Sequence, residues 1–139
     1  MAVKTIYLAG TSKKGNSFAL EWRTEATQKL NRMDINTINP FRNKIITQDG
    51  KLYTPNEIIT RDLWDIRRSD LVLAEMTQDE CAYIGTSMEI IAASKFYDKP
   101  VVVWASDKIA THYWIRALAV HISHDLDECI DYIGGMWTS

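Results

Sequence analysis

Residues 70–104 read DLVLAEMTQDECAYIGTSMEIIAASKFYDKPVVVW, and the order of patterns within them decides the fold. Asp70 to Glu75 is a short apolar run with the character of a buried strand, and Lys99-Pro100-Val101-Val102-Val103-Trp104 is the next one. Between them a polar loop, Met76 to Ile84, gives way at Gly85 to an apolar helical run through Ile90, Ile91, Ala92, Ala93 and Phe96, ending near Tyr97. Glycine permits a tight turn at that point, and Thr86 or Ser87 is placed to cap the helix. Strand, loop, helix, strand is a βαβ unit, whose ligands sit at the carboxyl ends of the strands. Glu89 then falls one turn into the helix that opens on the crevice. An acidic residue there also suits the helix dipole without doing any chemistry, so the meaning of Glu89 depends on what surrounds it.

Working outward, Lys4 to Ala9 is a β run closed by Gly10. The polar loop Thr11-Ser12-Lys13-Lys14-Gly15-Asn16-Ser17 has the glycine and hydroxyls to cradle a phosphate or sugar. It lacks the P-loop pattern, and Gly10 with Gly15 does not complete a GxGxxG, which argues against a dinucleotide or NTP site. Phe18 to Met33 has helical spacing, with Phe18, Trp22, Ala26 and Leu30 or Met33 on one face. Ile35 to Ile38 is a second strand, left at Asn39-Pro40 because proline cannot continue a central strand. Asn43 to Tyr53, with its Asp49-Gly50 turn signal, is a long loop of the kind that closes over a site.

Thr54-Pro55 starts a helix that runs to Arg68, with Ile58, Ile59, Leu63 and Ile66 along one stripe. Asp62 falls inside that stripe. A carboxylate on the buried face of a helix is costly without a partner or a task; Arg61, Arg67 and Arg68 are at hand for a purely structural pairing. A helix within Ser106–Leu118, a last strand Val120–Ile122 and a closing helix Leu126–Ile133 complete the chain. The order predicts a single α/β domain over residues 1–139: a doubly wound, flavodoxin- or Rossmann-like, mostly parallel five-stranded sheet with helices on both faces.

At 139 residues, 46% hydrophobic and 24% charged, the chain has the make-up of a globular protein with a real core. Its net charge of −2 provides no basic surface for a nucleic acid polymer or an anionic membrane. Cys81 and Cys129 make no metal or redox spacing and suit a reducing compartment. Without a signal-like or membrane-spanning run, the expected location is the cytoplasm. The three histidines, His112, His121 and His124, lack a metal-ligand pattern, and no Ser/His/Asp order suggests acyl transfer. Neither a metal nor a cofactor is expected.

Two carboxylates, Asp62 on the helix entering the third strand and Glu89 on the helix leaving it, are therefore expected beside one crevice. Paired carboxylates in different surroundings are the machinery of glycosidic bond cleavage, one meeting the anomeric carbon while the other handles protons or holds the sugar.

On these residues the chain resembles the nucleoside 2-deoxyribosyltransferase family. The blocks that carry the likeness are Ile6-Tyr7-Leu8-Ala9-Gly10, Trp22-Arg23, Asn39-Pro40, Arg61-Asp62, Ser69 to Glu75, Gly85-Thr86-x-x-Glu89-Ile90 and Lys99-Pro100-Val101. They extend from residue 4 to about 104; each is weak alone, and their order and spacing together are specific. The same superfamily contains the 2'-deoxynucleoside 5'-monophosphate N-glycosidases.

The resemblance implies that Glu89 is a nucleophile forming a covalent deoxyribosyl intermediate, that Asp62 assists proton transfer at the base, and that Tyr7 lies close to the nucleophile. It puts Gly10, Thr11, Ser12, Trp22, Asn39, Gly85, Thr86 and Met88 around the substrate, with the core the preferred place for Trp22 over packing against a base. Two positions depart from the family pattern. Six residues before Glu89, where transferases carry an acidic residue that binds the sugar hydroxyls, this chain has Tyr83, with Asp79 or Glu80 as substitutes. Where the family takes an asparagine or serine from a neighbouring subunit, this chain offers His112.

The implied activity is transfer of deoxyribose between nucleobases, with a nucleoside or nucleotide and a nucleobase as small-molecule partners and a homo-oligomer of at least two subunits. The alternative is hydrolysis of a deoxynucleoside 5'-monophosphate, with Lys13, Lys14 and Ser17 on the phosphate. A non-catalytic nucleotide-binding module is a third reading of the same fold.

Overall fold

The computed structural model describes residues 2–11, 17–40 and 53–138. Five strands form one sheet: β1 (Thr5–Ala9), β2 (Asn36–Ile38), β3 (Leu71–Met76), β4 (Val101–Ala105) and β5 (His121–Ser123). Their spatial order is β2-β1-β3-β4-β5 and every pairing is parallel. This is the flavodoxin-like order, in which the chain reverses its winding between β1 and β3 and leaves a crevice at their carboxyl ends. The expected doubly wound α/β sheet is therefore observed, parallel throughout.

β3 is the central strand, and all six of its residues are buried, as a strand covered on both faces requires. Strand alternation sorts the core into two layers. Tyr7, Ala9, Val72, Ala74, Val101 and Val103 face one side, where they meet Ile66, Ile90, Ile115 and Leu118 from the helices α2 (Pro55–Arg67), α3 (Ile84–Ile91) and α5 (Tyr113–Leu118). Ile6, Leu8, Leu71, Leu73 and Val102 face the other, against α1 (Ser17–Asn31) and α6 (Leu126–Met136). No helix among the described residues is long and apolar enough to cross a membrane.

The helix α2 begins as its sequence demands. Thr54 Oγ1 accepts the Glu57 amide at 3.1 Å, the Glu57 carboxylate accepts the Thr54 amide at 2.9 Å, and Pro55 takes the first helical position. Such a reciprocal cap is worth about 1 kcal/mol.

Three elements differ from the sequence expectation. The helix α3 starts at Ile84 rather than Gly85, with Tyr83 as its cap residue in the left-handed conformation (φ 51°, ψ 35°) and no side-chain cap. Thr86 and Ser87 are thus already inside the helix. Beyond Ile91 the same helix widens into a π turn over Ala92–Phe96, a local insertion that helical periodicity does not reveal. The single helix expected within Ser106–Leu118 is two short ones, α4 (Asp107–Ala110) and α5, divided where His112 becomes the cap of the second.

Candidate active site

Tyr7 lies in the middle of β1 with 0% of its surface exposed. Its parity turns it toward the α2 and α3 layer, and its hydroxyl donates to Glu89 Oε2 at 2.6 Å. Glu89 sits in α3, the helix that follows β3, and Asp62 in α2, with 15% of its side chain exposed. Asp62 Oδ1 accepts from Arg61 Nη2 at 3.2 Å, and the same guanidinium nitrogen donates to the Pro40 carbonyl at 2.8 Å. The charge on Asp62 acts on both Tyr7 and Glu89. Strand β1 and helices α2 and α3 thus bring together Tyr7, Asp62 and Glu89, the three residues expected to carry the chemistry.

The surroundings tune these groups. Burial lifts the Glu89 carboxyl to about 7, the nearby Asp62 charge pushes the same way, and the Tyr7 hydrogen bond and the Arg23 guanidinium oppose them. Glu89 is therefore poised between its two protonation states near neutral pH. Burial, followed by the Glu89 charge, drives the Tyr7 phenol above its ordinary range, so it stays a hydrogen-bond donor. A carboxylate held against a fixed donor, with a second carboxylate in electrostatic reach, can attack an electrophilic carbon while the second moves a proton.

Two buried charged residues beside these groups were given no role by the sequence. Arg23, 1% exposed, donates from Nε to the Leu8 carbonyl at 3.1 Å and from Nη1 to the carbonyls of Thr11 at 3.1 Å and Ala19 at 2.7 Å. Burial lowers its guanidinium to about 10, while Tyr7, Glu89, Glu75 and Asp62 pull the other way. Glu75, 0% exposed, ends the apolar run of β3 and accepts from Thr11 N, Thr77 N, Thr77 Oγ1 and Tyr83 OH. The available signal was the placement: a charge in the buried stripe of α1, beside Ala19, Trp22 and Ala26, and another at the end of a central strand.

The remaining candidates are distributed as follows. At Gly10 a Cβ would lie 2.9 Å from Trp22 Cζ2 and 3.0 Å from Glu75 Oε1, so only glycine lets the end of β1 pass there. Thr11 is buried beside it, and Ser12, Lys13 and Lys14 lie outside the described residues. Trp22 is in the core, edge-on to Trp104 with ring centroids 6.0 Å apart. Asn39 is half-buried at the end of β2.

On α3, Thr86 is buried and Met88 exposed, and a Cβ at Gly85 would meet nothing within 4 Å, leaving open space over the helix start. Tyr83 is buried, its hydroxyl given to Glu75 at 2.5 Å and accepting the Gln78 amide at 3.0 Å. The Asp79 carboxylate is taken by the Ser106 hydroxyl, and Glu80 is exposed. His112 is exposed at the start of α5, where its Nδ1 accepts the Trp114 amide at 3.2 Å. Ser17 is the exposed first residue of α1; of the expected lid, only Tyr53 is described, and it is exposed.

A family model described as nucleoside 2-deoxyribosyltransferase matches residues 6–129. No curated protein sequence matches the chain. Among solved structures, a 2-deoxyribosyltransferase from Bacillus psychrosaccharolyticus superposes with a TM-score of 0.75 at 22% identity, over 92% of this chain and 91% of that one. A Leishmania mexicana 2-deoxyribosyltransferase gives 0.71 at 16% identity over 96% and 98%. The Clostridium botulinum CMP N-glycosidase gives 0.61 at 19% over 94% and 97%. At these identities the likeness to the three structures is one of fold.

Proposed function

The chain belongs to the nucleoside 2-deoxyribosyltransferase family, and from that premise we propose that it cleaves the N-glycosidic bond of a 2'-deoxynucleoside and passes the deoxyribosyl group to a second nucleobase. The observation that carries the reading is the Glu89 carboxyl within hydrogen-bond distance of Tyr7 and under the charge of Asp62. In the first half-reaction a Glu89 oxygen bonds to C1', the C1'–N bond breaks through an oxocarbenium-like transition state, and the base departs with a proton supplied by way of Asp62. In the second, the nitrogen of an incoming base bonds to C1', its proton leaves by way of Asp62, and the ester to Glu89 is released. Tyr7 fixes the orientation of the carboxyl throughout.

A second reading, hydrolysis of a deoxynucleoside 5'-monophosphate, is favoured by one feature. Tyr83 occupies the place of the acidic sugar-binding residue of transferases, and its hydroxyl is committed to Glu75. Water in place of the acceptor base then releases Glu89. In either case a neighbouring subunit supplying His112 makes the active form at least a dimer, and the exposed Tyr113 and Trp114 beside it, with Ile84 and Met88 on α3, support such an interface.

The test is chromatography of purified protein incubated with deoxynucleosides, and separately with their 5'-monophosphates, each with and without a second base. New nucleoside formed only with acceptor base establishes transfer. Free base and deoxyribose 5-phosphate without exchange establish hydrolysis. Binding without turnover of either set leaves a nucleotide-binding module.

A further inference from the structure

We propose that Glu75 and Arg23 are positioning residues for this chemistry, gripping the Thr11 backbone through its N–H and its C=O and, through Tyr83, tying the end of β1 to the start of the helix that carries Glu89. The inference rests on the glycosidic reading for its kinetic consequence, though the brace itself is a feature of the fold.

Four donors converge on the two oxygens of Glu75. The Thr11 amide is 3.1 Å from Oε1, while the Thr77 amide and hydroxyl, each at 2.8 Å, and the Tyr83 hydroxyl, at 2.5 Å, meet Oε2. Only a carboxylate accepts from all of them; an amide in its place would turn two N–H groups onto other donors. The opposite end of the Thr11 unit is held by Arg23 Nη1, which also binds Ala19, while Nε binds Leu8. One residue at the carboxyl edge of the sheet is thus clamped through its N–H by a buried anion and through its C=O by a buried cation.

Stability alone does not call for this arrangement. Two buried charges pay a desolvation cost that well-packed apolar side chains avoid, and hydrogen bonds to charged groups offset it only where the geometry is fixed. What the clamp does provide is rigidity beside the crevice. Tyr83 shows the same logic, because a left-handed tyrosine costs on the order of 1–2 kcal/mol and persists only where its surroundings determine it. Its bond to Glu75 is that determinant. Tyr83 sets where α3 begins, and the Ser87 amide bonds back to its carbonyl at 2.9 Å. The position of Glu89 over C1' therefore depends on a bond formed eight residues upstream of Tyr83.

The experiment compares Tyr83→Phe and Glu75→Gln in the full chain by steady-state kinetics, thermal unfolding and amide hydrogen exchange. Tyr83→Phe is expected to unfold within a few degrees of the parent, to lose roughly 10- to 100-fold in kcat, and to change KM by less than about 3-fold, because a misplacement near 1 Å is felt in the transition state. Exchange over Ile84–Ile91 is expected to accelerate in both variants, and at Thr11 in Glu75→Gln. Parental kcat together with parental exchange in Tyr83→Phe overturns the proposal. So does a kcat loss in proportion to lost folded protein, which is what a merely structural bond would give. If the parent turns over no deoxynucleoside or deoxynucleotide, the proposed function fails, and the exchange rates still decide whether the brace exists.

Discussion

Tyr7 on β1 and Glu89 on α3, 82 residues apart in the chain, share a hydrogen bond of 2.6 Å from the phenol to the carboxylate. That bond stabilises the ionised form of Glu89 against the burial that opposes it. Tyr7→Phe removes it without removing the ring. The Glu89 carboxyl then titrates above its present value of about 7, and the rising limb of kcat/KM moves to higher pH. A pH–rate profile of the variant beside the parent reads the shift directly.

Glu89→Gln is expected to lower kcat by at least about 10³-fold, since an amide is no nucleophile toward C1'. Its effect on stability has the opposite sign. Burial raises the folded-state value from 4.5 to about 7, so the stabilisation from a protonated Glu89 is complete below 4.5 and is lost as pH rises through 7. The neutral variant escapes that loss and gains on the order of 1–3 kcal/mol over the parent at about pH 8 relative to about pH 5. Thermal melts of both proteins at the two pH values measure the difference.

Asp62→Asn removes a like charge beside Glu89, which lowers the Glu89 carboxyl, and also removes the group by way of which the departing base receives its proton. Nucleosides whose bases leave readily without protonation should be affected least. The check is kcat across a series of deoxynucleosides graded by the basicity of the base. A uniform loss across the series would show that Asp62 acts on binding or on Glu89 alone.

Gly10→Ala places a Cβ 2.9 Å from Trp22 and 3.0 Å from Glu75. Overpacking of this kind costs about 1–3 kcal/mol, and here it presses on the carboxylate that holds Thr11. Denaturant unfolding should show the loss of stability, and kinetics a fall in kcat at temperatures where the variant remains folded.

His112→Ala and Glu89→Ala offer a test of a site completed between subunits. If each half-site uses Glu89 from one chain and His112 from the other, mixing the two inactive variants after subunit exchange restores a fraction of parental turnover. Unmixed samples stay silent.

Much of this architecture is legible in the sequence because it is written in periodicity. The apolar runs of β1, β3 and β4 and the stripe of α1 announce two-sided burial; on α2 the expected stripe holds only in part, since Ile66 is buried but Ile59 is 53% exposed and Asp65, not singled out, is fully buried. Glu75 and Arg23 stay hidden for a physical reason: most of their partners are backbone groups, which any residue carries, and the more distant ones, Leu8 and Thr11, become neighbours only when β1, β3 and α1 assemble. The start of α3 is misjudged because a left-handed tyrosine has no sequence signature, that conformation being usual for glycine or asparagine. The π turn leaves no mark either, since its residues Ala92 to Phe96 satisfy α-helical spacing just as well.

That π turn divides the crossover from β3 to β4 into two pieces of different tolerance. Tyr97 N–H reaches back to the Ala92 carbonyl at 3.0 Å and Lys99 N–H to Ala93 at 2.8 Å, closing the helix against the start of β4. A wide turn holds one residue more than an α turn, so it works as slack between a segment whose rotation is critical and one that only has to return the chain to the sheet. Deleting one residue between Tyr83 and Glu89 would swing the nucleophile about 100° around the helix axis. Deleting one between Ala92 and Phe96 would tighten the turn to ordinary α geometry and leave Glu89 where it is.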